Sequence, residues 1–268
     1  MTGFVAARGR SVTVSLLAAL AALISGPEDT VAEGENTELR YQVAWGNMTL
    51  AEAKVNFALG EERYEIEGSG ESQGALAFFF PWKGSARTVG KTTSDGYSVS
   101  RHDSEGSYKD KTRRTTVLWT VNEPLPTLEA EPQPDLSEVT PVPEAETADT
   151  ADPFTVLIST LDKLEQGDPC EAEARVWDGR RRYDLKIEHI GESELSPDRP
   201  WAYSGAAIGC RLTYTPIGGF RRESEWKDKQ DEISRVIWVG RLPNEQLVPV
   251  RIELSAPIGN FVGRLYTQ

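Results

Sequence analysis

Hydrophobic and polar residues alternate along most of the chain, with the period of two that places successive side chains on opposite faces of a β-strand. The segment MTLAEAKVNFAL shows this alternation with Val55, Phe57 and Leu59, and LVPVRIEL near the C-terminal end shows it again. Turn signals such as Gly46-Asn47 separate the runs by so few residues that neighbouring strands must be antiparallel. About a dozen such runs predict a mainly all-β protein with a strongly curved or barrel-like antiparallel sheet.

One segment has the period of a helix instead, and we expect a helix at about residues 153–165. Asp152 is a suitable N-cap residue, Pro153 suits the first helical position, and Gly167 follows the last turn. The apolar side chains of this segment share one helical face: Phe154, Leu157, Ile158, Leu161 and Leu164. We expect this apolar stripe to pack on the sheet.

The stretch between the two cysteines contains the clearest local signal, a β-hairpin with Asp178-Gly179 as its two-residue loop. Gly179 permits the positive φ that such a turn needs. With this loop, Trp177 lies opposite Arg180, and the two side chains would form a cation–π pair on the outer face of the hairpin.

The same register places Arg181 on the apolar face of the hairpin, beside Tyr183. A buried guanidinium needs a carboxylate, several carbonyl groups or an anionic ligand. An internal Asp or Glu and the anionic headgroup of a lipid or glycan both meet that need, and the sequence leaves the choice open.

A second unusual segment, GALAFFFPWKG, carries Phe78, Phe79, Phe80 and Trp82 within five residues. No alternating strand needs such a density of aromatic side chains. One interpretation is a short helix or loop that plugs an end of the sheet. The other is a surface that lines a ligand pocket or meets a partner or a membrane.

Residues 122–151 depart from the strand pattern. The segment contains six prolines, and from Glu123 to Asp152 there are nine acidic residues and no lysine or arginine. Because such a segment buries little apolar surface, we expect a disordered acidic loop that interrupts a single β-rich domain of residues 33–268. The loop could instead separate two domains, but the strand pattern is of the same kind on both sides.

The N-terminal residues have the features of a signal peptide. Arg8 and Arg10 precede an apolar run at residues 11–24, and Thr30-Val31-Ala32 is an acceptable cleavage site. We expect residues 1–32 to be removed, which leaves a periplasmic protein with no stable transmembrane anchor. An uncleaved anchor is the alternative, although the apolar run is short for a membrane span.

Two cysteines, Cys170 and Cys210, occur in the chain. In an oxidising compartment they would form one disulfide, which agrees with export. Two free thiols or a redox pair are the alternatives, but the spacing is not the C-x-x-C of a redox motif.

Several of the longer pieces together resemble a known family. These are LRYQVAWG, ALAFFFPWKG, the Asp152-Pro153 helix start, GDPC, WDGRRRYDL and LVPVRIEL, in this order. Over about residues 39–266 the chain resembles the bacterial "domain of unknown function 3108" family of exported proteins. The resemblance implies a β-rich envelope protein of Gram-negative bacteria, and it supplies no catalytic residues.

The chemistry-bearing residues point away from catalysis. His102 and His189 are not in metal-ligand spacing, no catalytic motif occurs, and we expect no enzyme activity, cofactor or metal. A net charge of −13 argues against nucleic acid and against an anionic membrane surface as partners.

Two functions fit these expectations. The first is the binding of an amphiphilic lipid or glycolipid in the interior of the sheet, with its tail on Phe78, Phe79, Phe80 and Trp82 and its head near Arg181 and Tyr183. The second is a ligand-free scaffold that binds other envelope proteins.

Overall fold

The computed structural model describes residues 35–109, 111–223 and 232–267. The predicted signal peptide, residues 1–32, lies outside these ranges. Most of the described residues are in β-strands, which are β1 Glu35–Trp45, β2 Met48–Leu59, β3 Arg63–Ser72, β4 Trp82–Thr93, β5 Gly96–Tyr108, β6 Lys111–Leu118, β7 Thr127–Glu131, β8 Ala172–Trp177, β9 Arg182–Leu195, β10 Gly205–Gly218, β11 Ser234–Arg241, β12 Leu247–Ala256 and β13 Gly259–Leu265. Two α-helices are described, α1 Gly74–Phe79 and α2 Pro153–Glu165, with a 3₁₀ turn at Glu144–Thr147.

All thirteen described strands form one antiparallel sheet. Its order is β7-β6-β5-β4-β3-β2-β1-β13-β12-β11-β10-β9-β8, so nearly every strand pairs with its neighbours along the chain. The exception is the pairing of β1 with β13, in which Tyr41 lies opposite Leu265. This pairing joins the two halves of the sheet. This confirms the predicted antiparallel, mainly β fold.

The sheet is not closed by hydrogen bonds. Within the described ranges no ladder joins β7 to β8, which are the two edge strands. The edges are nevertheless linked through other residues. Ala151, just before α2, pairs with Val176 of β8, and its N–H donates to the carbonyl oxygen of Arg175 at 2.9 Å.

Helix α2 occupies the inside of the sheet, and its bounds confirm the predicted helix at about 153–165. One side of the helix packs, through Ile158, on core residues of β1 to β3 and β12 such as Phe57 and Val250. The other side packs, through Leu161 and Leu164, on the core formed by β8 to β11. The helix is therefore the interior plug of the sheet.

A glycine in β3 makes room for this helix. Gly68 pairs regularly with Val55 and Ala86, and a Cβ added at Gly68 would lie 2.7 Å from the ring of Phe154. The Phe154 ring thus rests on bare backbone, which lets the first turn of α2 approach the sheet closely.

The β8–β9 hairpin has a longer loop than the sequence predicts. Trp177 pairs with Arg182 and Val176 pairs with Tyr183, so the loop comprises residues 178–181 and not Asp178-Gly179 alone. Since the register moves by two residues, the faces keep their predicted parity. Tyr183 still lies on the side that packs towards α2.

The side chain of Asp178 explains the longer loop. Its carboxylate accepts hydrogen bonds from the backbone N–H groups of Arg180 and Arg181 at 2.8 and 2.6 Å. Gly179 has φ +86°, and a Cβ there would lie 2.9 Å from Val117 of β6. A glycine is therefore required at position 179 for two reasons. The turn needs a positive φ, and the loop approaches β6 too closely to leave room for a side chain.

The prediction that Arg181 is buried is wrong, and so is the Trp177–Arg180 pair. Arg181 lies in the loop, where strand parity does not apply, and is exposed. The buried guanidinium belongs to Arg182, which is 1% exposed. Its Nε donates to the carbonyl oxygen of Glu146 at 2.7 Å and its Nη1 lies 2.6 Å from the carboxylate of Asp184.

Residues 122–151 are not the disordered loop that we expected. They contain β7, which pairs with β6, and the 3₁₀ turn that supplies the Glu146 carbonyl. Between them, Thr140 exchanges backbone hydrogen bonds of 2.8 Å with Gly219 and Phe220. The segment contains no aromatic residue, but it satisfies backbone polar groups on distant parts of the sheet. We call residues 132–142 the strap.

Cys170 and Cys210 form a disulfide with Cα atoms 6.0 Å apart. Both residues are buried, and they tie the chain after α2 to the middle of β10. In the part of the chain that the structure describes, neither α-helix is long and apolar enough to cross a membrane.

Candidate ligand-binding cleft

The inner face of β4 to β6 forms one wall of a large cleft. Cross-strand partners share a face of a sheet, so the register gives the composition of this wall row by row. From the inside to the mouth, the rows are Thr88-His102-Val117, Ala86-Ser104-Thr115, Gly84-Gly106-Arg113 and Trp82-Tyr108-Lys111. The wall thus changes from small and buried side chains to aromatic and cationic ones.

Three glycines adjoin one another in the third row, because Gly70 of β3 pairs with Gly84 of β4 and Gly84 pairs with Gly106 of β5. The ring of Trp82 covers the first two, since a Cβ on Gly84 would lie 2.8 Å from it. A Cβ on Gly106 would meet no atom within 4 Å. Gly106 also lacks a positive φ. The absence of a side chain at Gly106 therefore opens space in the cleft, and the backbone conformation does not require a glycine at this position.

The opposite wall comes from the other half of the sheet. It consists of the β8–β9 loop with Arg180 and Arg181, the C-terminal end of β10 with Tyr214, and the strap. Phe220 stacks on Tyr214 at 6.1 Å between ring centroids, and the guanidinium of Arg181 lies 5.9 Å from the centroid of Phe220. Phe154 of α2 lines the inner end. The volume of the cleft is about 1200 Å³.

Five basic side chains line the cleft, namely Lys111, Arg113, Arg180, Arg181 and Arg221. None of them forms an ion pair with any residue that the structure describes. Burial, with the neighbouring charge of Arg113, lowers the pKa of Arg180 below its ordinary value, and Asp178 opposes this only in part. Arg180 donates instead to three backbone carbonyl oxygens of β6, β7 and Pro132 at 3.1 to 3.3 Å.

The acidic residues of the lining are mostly engaged elsewhere. Glu105 pairs with Arg114 at 2.6 Å, and Asp178 accepts the N–H groups of its own loop. Asp135 accepts hydrogen bonds from the backbone and hydroxyl of Ser137. These three carboxylates, and Glu138 with them, lie in the lining but form no ion pair with its basic side chains.

A buried polar network forms the inner end of the cleft. The Nδ1 of His102 lies 2.8 Å from the hydroxyl of Thr88, which donates to Asp152 at 2.6 Å. Asp152 also accepts the hydroxyl of Thr155, and that hydroxyl lies 2.6 Å from the hydroxyl of Tyr64. The network joins three strands to the start of α2.

Asp152 is the centre of this network and also the N-cap of α2, as the sequence predicts. Its Oδ1 accepts the backbone N–H of Phe154 at 2.9 Å. Burial alone would raise the pKa of Asp152, but hydrogen bonds and the charge of His102, with the Thr155 and Thr88 hydroxyls, hold that pKa below its ordinary value. Asp152 is therefore held as a carboxylate at neutral pH.

The model of the family described as "Protein of unknown function (DUF3108)" matches residues 40–266, which is most of the chain. The chain belongs to the DUF3108 family. No curated protein matches this DUF3108 chain.

A solved structure is similar to this DUF3108 fold. It is the "Crystal Structure of Beta-barrel-like Protein of Domain of Unknown Function DUF1849 from Brucella abortus", with a TM-score of 0.52 and 10% sequence identity. The similarity covers 88% of this chain and 97% of that chain. At this identity the likeness concerns the fold alone, and it supports a barrel-like description of the DUF3108 sheet.

The structure brings together only some of the predicted ligand-binding residues of the DUF3108 chain. Trp82 and Arg181 line the same cleft on opposite walls. Tyr183 lies behind the cleft, with its ring edge-on to Tyr214 at 5.7 Å. The remaining predicted residues, Phe78, Phe79 and Phe80, are outside the lining and exposed.

Sequence reasoning missed His102, Phe220 and the glycine row as parts of the cleft. Gly84-x-Ala86 and Gly106 were visible as small residues within strands, which often mark close approach or open space. Nothing local to Phe220 pointed to the cleft. In the described residues no cluster of three or more His, Cys, Asp or Glu side chains could hold a metal ion.

Proposed function

We propose that this chain is a non-enzymatic cell-envelope protein of the periplasm that binds an amphiphilic ligand, a lipid or glycolipid, in the cleft between the two halves of its sheet. The observation that carries the proposal is the polarity gradient of the cleft wall. Small side chains, with Phe154 and Ala86 among them, lie inside, and aromatic groups and cationic groups without an ion-pair partner lie at the mouth.

The inner part of the cleft suits an apolar chain. Phe154 and Ala86 line it, and the glycine row widens it at Gly106. The volume of about 1200 Å³ lies slightly above the usual 300–1000 Å³ of small-molecule sites, so it has room for a ligand larger than most small molecules. Removing an acyl chain from water stabilises binding by about 0.8 kcal/mol per buried CH₂ group.

The mouth of the cleft suits an anionic or sugar-bearing head. Arg113 and Arg181 are exposed and have no ion-pair partner among the residues described, and Lys111 adjoins them. Phosphate and carboxylate groups bind such arginines through charge-assisted hydrogen bonds. Trp82 and Tyr108 in the last row offer rings for stacking against a sugar or a glycerol backbone.

Two observations support a periplasmic location. The disulfide is stable in an oxidising compartment such as the periplasm. The N-terminal sequence has the charged, apolar and small-residue regions of a secretory signal.

The test is native mass spectrometry of the mature protein, purified from the periplasm without detergent and then extracted with organic solvent. We expect an additional mass that passes into the organic phase. The Gly106→Leu variant fills the open space beside the glycine row and should retain about tenfold less of that ligand. Thr112→Leu, on the outer face of β6, is the matched control and should retain the wild-type amount.

Arginine variants test the head of the ligand. Arg113→Ala should weaken binding about tenfold, the effect of losing one charge-assisted hydrogen bond, whereas Arg211→Ala on β10 outside the cleft should not. A protein that carries no extractable mass, and binds none when lipid extract is added, would refute the proposal. Crosslinking to other envelope proteins in that case would favour the ligand-free scaffold.

A further inference from the structure

The segment between β3 and β4 exposes an unusual amount of aromatic surface. The exposed fractions are 82% for Phe78, 64% for Phe79 and 55% for Phe80. The rings of Phe78 and Phe79 meet edge-on at 5.1 Å, and Phe80 stacks on Tyr108 at 6.5 Å. No residue of α1 is buried. We call Phe78, Phe79, Phe80, Trp82 and Tyr108 the α1 patch.

This exposure is not explained by folding. Antiparallel neighbours such as β3 and β4 need only two to five connecting residues, whereas residues 73–81 form a longer excursion that carries the phenylalanines outwards. Burying one phenylalanine stabilises a protein by about 1.5–3 kcal/mol, and here three are left in water. A contiguous exposed apolar patch of this kind marks an interaction site.

The charge around the α1 patch is opposite to that of the whole chain. Residues 107–114, SYKDKTRR, carry four cationic residues and one acid, although the net charge of the chain is −13. Lys109 lies over the Tyr108 ring at 5.4 Å, and Lys83 follows Trp82 directly. Glu71 lies opposite Lys83 across the β3–β4 pair.

Exposed phenylalanine and tryptophan flanked by lysine and arginine form the composition of a membrane-interface anchor. The cations favour a bilayer that contains anionic lipid. A second copy of the chain is a poorer occupant, because a symmetric dimer through this patch would place like charges opposite one another. The patch also continues into the cleft, since Trp82 and Tyr108 belong to both.

We infer that the α1 patch docks the protein on the surface of an anionic lipid bilayer, with Phe78 and Phe79 inserted among the lipid headgroups. The net charge predicts no such partner, but the local charge and the aromatic exposure outweigh it at this one surface. Docking in this orientation holds the mouth of the cleft against the membrane. The inference goes beyond ligand binding and does not depend on an occupied cleft.

The test is cosedimentation of the mature protein with phosphatidylglycerol–phosphatidylethanolamine vesicles and with vesicles of phosphatidylcholine alone. We expect binding to the anionic vesicles that weakens with added salt. The double variant Phe78→Ser/Phe79→Ser should lower the partition coefficient at least about tenfold, since two ring contacts with the interface are lost. Ile258→Ser, another exposed apolar residue on the β12–β13 turn, should leave binding unchanged.

The second pair of variants tests the charge. Lys109→Glu/Lys111→Glu should abolish the preference for anionic lipid while leaving the melting temperature unchanged, because both side chains are exposed. Failure of the wild-type protein to bind either vesicle, or equal binding by the double phenylalanine variant, would overturn the inference. So would a wild-type dimer in light scattering that the same variant converts to a monomer, since a second copy would then cover the patch.

Ligand retention in the cleft is measured separately from vesicle binding. The Phe78→Ser/Phe79→Ser variant keeps every residue of the cleft lining, so it should still carry the extractable mass. Gly106→Leu, which fills the cleft, should still bind vesicles. Each proposal can therefore fail without the other.

Discussion

At the scale of single residues, the fold depends on a buried guanidinium under the 3₁₀ turn. Arg182 is almost fully buried on the outer face of β9, where residues 144–147 cover it. Its neighbour Arg181 is exposed and contacts only the face of Phe220 among the rings described. Two adjacent arginines thus have different functions, one in stability and one at the cleft.

This difference predicts opposite effects of two similar substitutions. Arg182→Ala removes the donor to the Glu146 carbonyl and leaves Asp184 without its partner, so it should lower the free energy of unfolding by about 2–3 kcal/mol. Arg181→Ala should change it by less than about 0.5 kcal/mol. Urea unfolding of both variants measures the effect, and similar midpoints would contradict it.

The mistaken prediction for Arg181 shows where sequence reasoning stops at this scale. Alternation along β8 and β9 determined which side chains share a face, and the structure has that parity. It could not determine the loop length, because Asp-Gly suits both a two-residue turn and a four-residue loop closed by Asp178. Two extra loop residues release Arg181 from the strand, whereas Arg182 is buried because residues 144–147 cover the outer face of β9.

At the scale of elements, α2 organises the interior and Asp152 connects it to the sheet. The helix was predictable because its cap, its first proline and its apolar stripe are all local in sequence. The contacts of the cap residue Asp152 with the sheet were not predictable, since Thr88 lies 64 residues away from it in the chain. The strap was missed for the same reason, because Thr140 and Phe220 are 80 residues apart.

Asp152 gives the protein a specific sensitivity to acid. Its pKa is lower in the folded state than in the unfolded chain, where it is about 3.9. Its stabilising contribution is therefore complete above that value and is lost as the pH falls through the lower, folded pKa. Urea unfolding at a series of pH values should show a steeper acid loss for the wild type than for Asp152→Asn.

At neutral pH the Asp152→Asn variant should be less stable by about 2 kcal/mol, because the charged acceptor of buried hydroxyls is gone. The difference should shrink in acid. Asp168→Asn, an exposed aspartate just after the helix, is the matched control. Parallel pH profiles for wild type and Asp152→Asn would show that Asp152 does not titrate as the contacts require.

At the scale of the whole described sheet, the two edges are linked by the strap and the β8–β9 loop and not by a ladder. The strap pairs with residues 219–222, which follow β10, through three backbone hydrogen bonds, two at Thr140 and one at Glu138, which set Val139 opposite Arg221. The acidic composition of this region contributes to the net charge, while the basic residues gather at the cleft mouth. The composition predicts the net charge of the chain, but it does not predict that the acidic and the basic residues lie in different parts of the fold.

The strap should respond to the loss of one backbone donor. Thr140→Pro removes the N–H that donates to the Phe220 carbonyl at 2.8 Å, whereas Thr140→Ala keeps it. Amide hydrogen exchange at Gly219 and Arg222, whose N–H groups are bonded to the strap, should become about tenfold faster in the proline variant only. Unchanged exchange at both amides would show that the strap does not hold this edge.

The glycine row also has a mechanical consequence. Side chains that pack against their cross-strand neighbours stiffen a sheet, and Gly70, Gly84 and Gly106 have none to contribute. A line without Cβ atoms across three strands is the direction along which the wall bends with least resistance. The glycine row, which at Gly106 opens space in the cleft, is therefore also the line along which we expect the wall to bend most easily.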